Sequence, residues 1–176
     1  KMKGLKIILT LCLAASALPS CKSQYDILLD SSDVDKKYAA AFDYFNKGKF
    51  NKAAPMFESL SMLTKGFSKE DTVLYYWGLS NYRYKDYITA ETNFSKFISD
   101  FPVSPFTEDA RFLRIDCLYR STFRYELDPT PTYAALAAIA QYQSEFPDNI
   151  HKEVCERMST DLNERLDRKA FEAARL

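Results

Sequence analysis

The sequence predicts an all-α chain, a right-handed solenoid of stacked helix hairpins. Three observations predict it. Apolar residues make up 47% of the 176 positions and aromatics 15%, with only four glycines, which disfavours both disorder and turn-rich all-β folds. Related segments recur along the chain, at offsets of 37 and then 45 residues, in the range of stacked supersecondary units. Within those segments the apolar residues fall three and four apart, one face of a helix. The length suits one domain with a real core.

The first twenty residues stand apart. Lys1, Lys3 and Lys6 precede an apolar run of 12 residues, "IILTLCLAASAL". A membrane-spanning helix needs about 20, so the run fits a signal peptide instead. It ends in "LPSC", which resembles a bacterial lipoprotein processing site despite the unusual Pro19. Residues 1–20 are then the signal peptide, and Cys21 the acylated N-terminus. The alternative is an ordinary secretory peptide cut near Ser20. Residues 21–34 form the lipidated cysteine and its tether. Removing the leader takes three lysines from a chain of 24 basic and 24 acidic residues, which leaves −3. Cys117 and Cys155 then read as unpaired helix-packing residues. A disulfide between them is the alternative in an oxidising compartment.

Three repeat units follow. Unit one, residues 35–66, carries "GKFNKAAPMFESLSML", and Gly48 suits a left-handed residue closing its first helix. Unit two, residues 67–102, has a first helix from Glu70 to Tyr84 and a second from about Ile88 to Phe101. On that second helix Ala90, Phe94, Phe97, Ile98 and Phe101 share one face, and Pro102 follows its end. Gly78 lies inside the first helix, where glycine costs about 1 kcal/mol against alanine, so a close helix–helix approach is expected there. Unit three, residues 103–147, ends in Ser-Glu-Phe-Pro as unit two ends in Ser-Asp-Phe-Pro. Its extra residues fall in the turn "LDPTPT". There Pro129 and Pro131 stand between helices, Asp128 and Thr130 form caps or side-chain turns, and Thr132 caps the next helix. Residues 148–176 read as one long helix from about Ile150, opening a fourth, incomplete unit. Solenoids usually close with a capping element, so the chain reads as a fragment.

Trp77-Gly78, Tyr87, Ala90, Phe94 and Pro102 match the tetratricopeptide pattern. Ala41, Tyr44, Phe50, Ala53 and Phe57 match it in unit one, and Ala135, Ile139 and Pro147 in unit three. The run "YDILLDSSDVDKKYAAAFDYFNKGKFNKAAPMFESL", the turn "LDPTPTYAAL" with "EFPDN", and the tail "ERMSTDLNERLDRKAFEAARL" together resemble BamD (YfiO-type) lipoproteins of the β-barrel assembly machinery, in the form found in Bacteroidetes. The resemblance implies a scaffold lipoprotein on the periplasmic face of the outer membrane. It would aid folding and insertion of β-barrel proteins, with a BamA-like partner bound through its periplasmic domains. It also implies that later repeats carry much of that docking, so weak or absent binding is expected of a chain ending at Leu176.

In tetratricopeptide proteins the first helix of each unit lines the inner surface. The corresponding positions are Tyr38, Phe42, Phe45 and Asn46, then Tyr75, Leu79, Tyr82 and Arg83, then Phe112, Asp116, Tyr119 and Arg120. An aromatic stripe ending twice in arginine suits a C-terminal aromatic residue with a free carboxylate, the common end of outer-membrane barrels. The alternative is that the aromatics pack between neighbouring helices and the arginines are solvated.

No catalytic constellation, metal-ligand cluster or phosphate loop is visible, so no enzyme and no cofactor are expected. His151 reads as a solvated helix-start residue. Asp161, Glu164 and Asp167, interleaved with Arg157, Arg165 and Arg168, read as a charged helix face. Zero formal charge gives no field for nucleic acid. Two other functions fit a helical-repeat lipoprotein: glycan capture of the SusD type, whose chains are far longer, and cell-wall attachment.

Overall fold

The computed structural model describes residues 22–122 and 128–175. The proposed signal peptide, Cys21 and the turn residues 123–127 lie outside them. The chain divides into two compact units, Lys1–Ser31 and Ser32–Leu176. In the first, the described residues form one short helix, α1 (Gln24–Asp30), opened by a reciprocal cap between Ser23 and Asp26.

The second unit is helical throughout its described residues, as the sequence predicts. Its helices are α2 (Val34–Asn46), α3 (Phe50–Leu63), α4 (Glu70–Arg83), α5 (Tyr87–Asp100), α6 (Thr107–Arg120), α7 (Thr130–Glu145) and α8 (Lys152–Ala174). Each packs on the next, and α4 also meets α6 directly. This is a tetratricopeptide-like solenoid, with the even-numbered helices opening the pairs. Seven of the positions that carry the repeat pattern vanish from solvent: Ala41, Ala53, Phe57, Ala90, Phe94, Ala135 and Ile139 are each at most 2% exposed, while Tyr44, Phe50, Trp77 and Tyr87 are half-buried.

Middle helices of a stack must bury two faces. On α6, Ala110, Leu113 and Cys117 join a core with Tyr75, Phe94 and Phe97, while Ile115 joins a second core with Ile139, Tyr142 and Leu162. Two apolar faces leave no single stripe, which is why α6 reads weakly as an amphipathic helix. Cys117 and Cys155 are both buried and free, as expected of packing residues.

The helix ends follow from local chemistry. Gly48 closes α2 at φ +69°, and Lys49 N–H donates to the Tyr44 carbonyl at 2.9 Å. The same bond, Asp86 N–H to Asn81 O, closes α4, where Lys85 takes the left-handed position without being glycine. Ahead of α7, the Asp128 carboxylate accepts from Thr130 N–H at 3.0 Å and from Thr130 Oγ1 at 2.7 Å. That α7 begins at Thr130 corrects one expectation: Thr132 does not cap the helix, and Pro131 lies in its first turn. The first-turn N–H groups have no intrahelical acceptor, so proline loses nothing there.

Candidate functional site

The inner positions of α2, α4 and α6 fall along one seam between successive even-numbered helices. Phe42 packs against Phe57 and Tyr76, at centroid distances of 5.1 and 4.6 Å, and Phe45 against Phe50 and Tyr76, at 5.3 and 5.1 Å. Tyr38 touches Phe42, with the Lys69 ammonium 4.8 Å above its ring. Tyr75 is buried and stacks on Phe106 at 4.5 Å and 12°. Phe112 stacks on His151 at 3.6 Å and 5°. His151 therefore is not a solvated residue: its ring covers Phe112 where α8 begins.

The hydroxyls on this seam are spoken for. Tyr75 donates to Asp109, Tyr82 to Asp116 at 2.6 Å, and Tyr119 to Asp161 at 2.7 Å. Two of these bonds belong to a repeated triad. Asp116 also accepts from Arg120 Nε at 2.5 Å, one turn on, and Asp161 pairs with Arg165 at the same distance and spacing. Arg120 lies 5.0 Å over the Tyr87 ring and Arg165 5.1 Å over Tyr119. Arg165 also donates to the Thr122 carbonyl at 2.9 Å. A tyrosine of one unit, and an aspartate and arginine of the next, thus staple neighbouring even-numbered helices. Asp161 and Arg165 are part of this structure rather than of a merely charged face.

Burial and the aspartate bonds set the electrostatics. Burial first, and then the bond to Asp109 or Asp116, push the Tyr75 and Tyr82 hydroxyls above the usual phenol range; Tyr119 moves the same way through burial and Asp161. These phenols stay protonated and donate. The bond to Asp116 in turn holds the Arg120 guanidinium charged. Burial pushes the Cys117 thiol up to about 12.

The residues predicted along the inner surface are thus brought together, but unequally placed. Tyr75 and Asp116 are buried, and Tyr38, Phe42, Phe45, Leu79, Tyr82, Phe112, Tyr119 and Arg120 are half-buried. Asn46 and Arg83 are exposed. Arg83 forms no ion pair among the described residues, although it stands where Arg120 stands one unit later. The partner position 37 residues before Asp116 is Leu79, which has no charge to offer. The aspartates went unread in the sequence because each partner lies 34 or 42 residues from its tyrosine. A comparison of units at the offsets of 37 and 45 residues would have aligned both triads.

No group of three or more metal-ligating side chains occurs among the described residues. Among them, too, no helix is long and apolar enough to cross a membrane. None of the curated proteins compared with the chain matches it. The model of a family of outer membrane lipoproteins, YfiO, matches residues 30–176, and so takes in every helix of the solenoid. The chain belongs to the YfiO family of outer membrane lipoproteins, the BamD type.

Proposed function

We propose that this protein is an anchored scaffold of the β-barrel assembly machinery that presents the C-terminal strand of unfolded outer-membrane proteins to a BamA-like partner. In this reading residues 1–20 direct export, and acylated Cys21 holds the tether and three repeats at the periplasmic face. More than one acyl chain is needed for stable anchoring. The protein works by binding and placing, without chemistry of its own.

The observation that carries the reading is Arg83. It is an exposed guanidinium at the end of the inner stripe, with no acid paired to it among the described residues. A planar guanidinium takes a carboxylate through two parallel bonds. The half-buried Tyr82 beside it offers aromatic surface for a terminal ring. Arg120 is a weaker candidate, since Asp116 already neutralises it.

The test is a titration with a ten-residue peptide ending in Phe, as the free acid and as the amide. The acid should bind at least tenfold more tightly, in line with about 1.5–3 kcal/mol for a charge-assisted bond. Arg83→Ala should erase that difference without shifting the unfolding midpoint. Equal binding of acid and amide, or an unchanged difference in Arg83→Ala, would sink the reading.

A further inference from the structure

Three loops join the repeat units, α3 to α4, α5 to α6 and α7 to α8, and they share one build. In the first, Phe67 N–H donates to the Thr64 carbonyl and Glu70 N–H to that of Phe67. The same two bonds run through Ser104 in the second loop, between Phe101 and Thr107, and through Asn149 in the third, between Phe146 and Lys152. In the later loops this middle residue is polar and turned back on the fold. Ser104 Oγ donates to Asp71 at 2.8 Å, and Asn149 Nδ2 to the Phe146 carbonyl at 2.6 Å. The first loop places Phe67 there, 71% exposed.

The loop that presents this ring is braced. Gly66 takes φ +82°, and its N–H donates to the Glu70 carboxylate at 2.6 Å. The end of α3 adds Met62, 74% exposed. Beside Phe67 runs an open groove of about 350 Å³, lined also by Val34, Leu63, Thr64, Asp35 and Lys69. Lone exposed aliphatic residues are ordinary, and Val103 and Ile150 are such residues in the later loops. Two large apolar side chains within six residues, one of them lining an apolar groove, are not.

Where the tether ends says what covers this patch. Val34 opens α2 and lines the groove. It follows Cys21 by 13 residues, seven of which form α1. A helix advances about 1.5 Å per residue and an extended chain at most about 3.6 Å, which keeps Val34 within roughly 35 Å of Cys21. The charges of this end cancel, Lys36, Lys65 and Lys69 against Asp33, Asp35 and Glu70. Lys36 pairs with Asp33 at 2.9 Å and Lys69 with Asp35 at 3.3 Å. Two exposed side chains and one groove are small against the about 1,200–2,000 Å² that a stable protein interface buries. A surface already held close by an anchor needs little more.

We infer that residues 62–69 dock on the phospholipid surface that carries the anchor. Phe67 and Met62 enter the boundary between headgroups and acyl chains, and the stems of Lys65 and Lys69 lie along it. The inference rests on the acylation of Cys21 proposed above. Its consequence is orientation: Arg83 stands at the far end of the 14-residue α4, about 20 Å along the axis, and is kept off the membrane.

The test places a nitroxide on Ser68→Cys in the acylated chain, in vesicles of phosphatidylethanolamine with a minor share of phosphatidylglycerol. Cys117 and Cys155 are buried and escape the label. Relaxation by oxygen, which enters the bilayer, is compared with relaxation by a nickel chelate, which stays in water. Oxygen should dominate at Ser68→Cys, and nickel at the exposed Asn51→Cys at the other end of α3. Added salt should change neither, since no net charge holds the loop. Phe67→Ser, which copies the second loop, should lower the docked-to-undocked ratio by roughly tenfold and leave the unfolding midpoint in place. Mass spectrometry of the same sample reads the acyl chains on Cys21, so a missing anchor is seen separately and removes the ground of the inference. An acylated chain whose Ser68→Cys label stays with nickel overturns the inference. Equal depth at Asn51→Cys, release by salt, or undiminished depth in Phe67→Ser does the same. Shielding from both reagents would overturn it too, in favour of a second copy of the chain.

Discussion

Gly78 stands with its missing Cβ only 2.9 Å from the Phe94 ring. The ring is wholly buried in the core that α4, α5 and α6 share. Two effects compete when alanine replaces this glycine. Helix propensity favours alanine by about 1 kcal/mol, while overpacking a tight core costs about 1–3 kcal/mol. Gly78→Ala is expected to lower stability by about 1 kcal/mol in urea unfolding, and Gly78→Ala with Phe94→Leu to recover it. A gain from the single substitution would mean that the ring gives way. This contact was legible in the sequence, because a glycine inside a helix needs a reason. The role of His151 was not. A lone imidazole at a helix start looks solvated until the fold brings Phe112, 39 residues earlier, flat against it.

Between elements, the Tyr82–Asp116–Arg120 and Tyr119–Asp161–Arg165 triads hold α4 to α6 and α6 to α8. The Asp116 side chain is 8% exposed and that of Asp161 41%, so the two should differ in worth. Bonds to a charged group contribute about 1.5–3 kcal/mol when buried, and exposed ion pairs about 0–1 kcal/mol. Tyr82→Phe is expected to cost about 1.5–2 kcal/mol and Tyr119→Phe less than half of that, measured by denaturant midpoint. An equal loss at both joints would show that burial does not set the difference. The helices themselves were readable from three-and-four spacing and repeat offsets. The staples were not, because periodicity shows which face is buried but not which polar group answers across it. The same limit hid the start of α7, where the Asp128 turn, not Thr132, decides the first residue.

Across the whole molecule, stability should depend on pH mainly at the alkaline end. Cys117, Cys155, Tyr75, Tyr82, Tyr119 and Tyr142 all hold their protons more tightly folded than unfolded. In the unfolded chain the thiols titrate near about 8.5 and the phenols near about 10. Stability from these groups is complete below those values and is lost as pH rises through them. The urea midpoint should therefore hold level to about pH 8, sag from about pH 9 through Cys117 and Cys155, and fall more steeply above about pH 10. Cys117→Ala should shrink the early sag, Cys117→Ala with Cys155→Ala should remove it, and both should leave the later fall. The repeat offsets gave away the architecture because each unit buries the same two positions of its second helix, Ala53 and Phe57, Ala90 and Phe94, Ala135 and Ile139. The two stapled joints also have a consequence for how the chain finds its register. They offer the same lock, so a tyrosine from either would satisfy an aspartate from the other. The address must come from chain length instead: three residues between α4 and α5, nine between α6 and α7. The first joint carries a different key. Phe45 and Leu79 occupy the positions of the tyrosine and the aspartate, and docking α2 against α6 would strand the Asp116 carboxylate opposite a ring without a hydroxyl. Apolar, polar, polar is enough of a code to tell the beginning of the stack from its end.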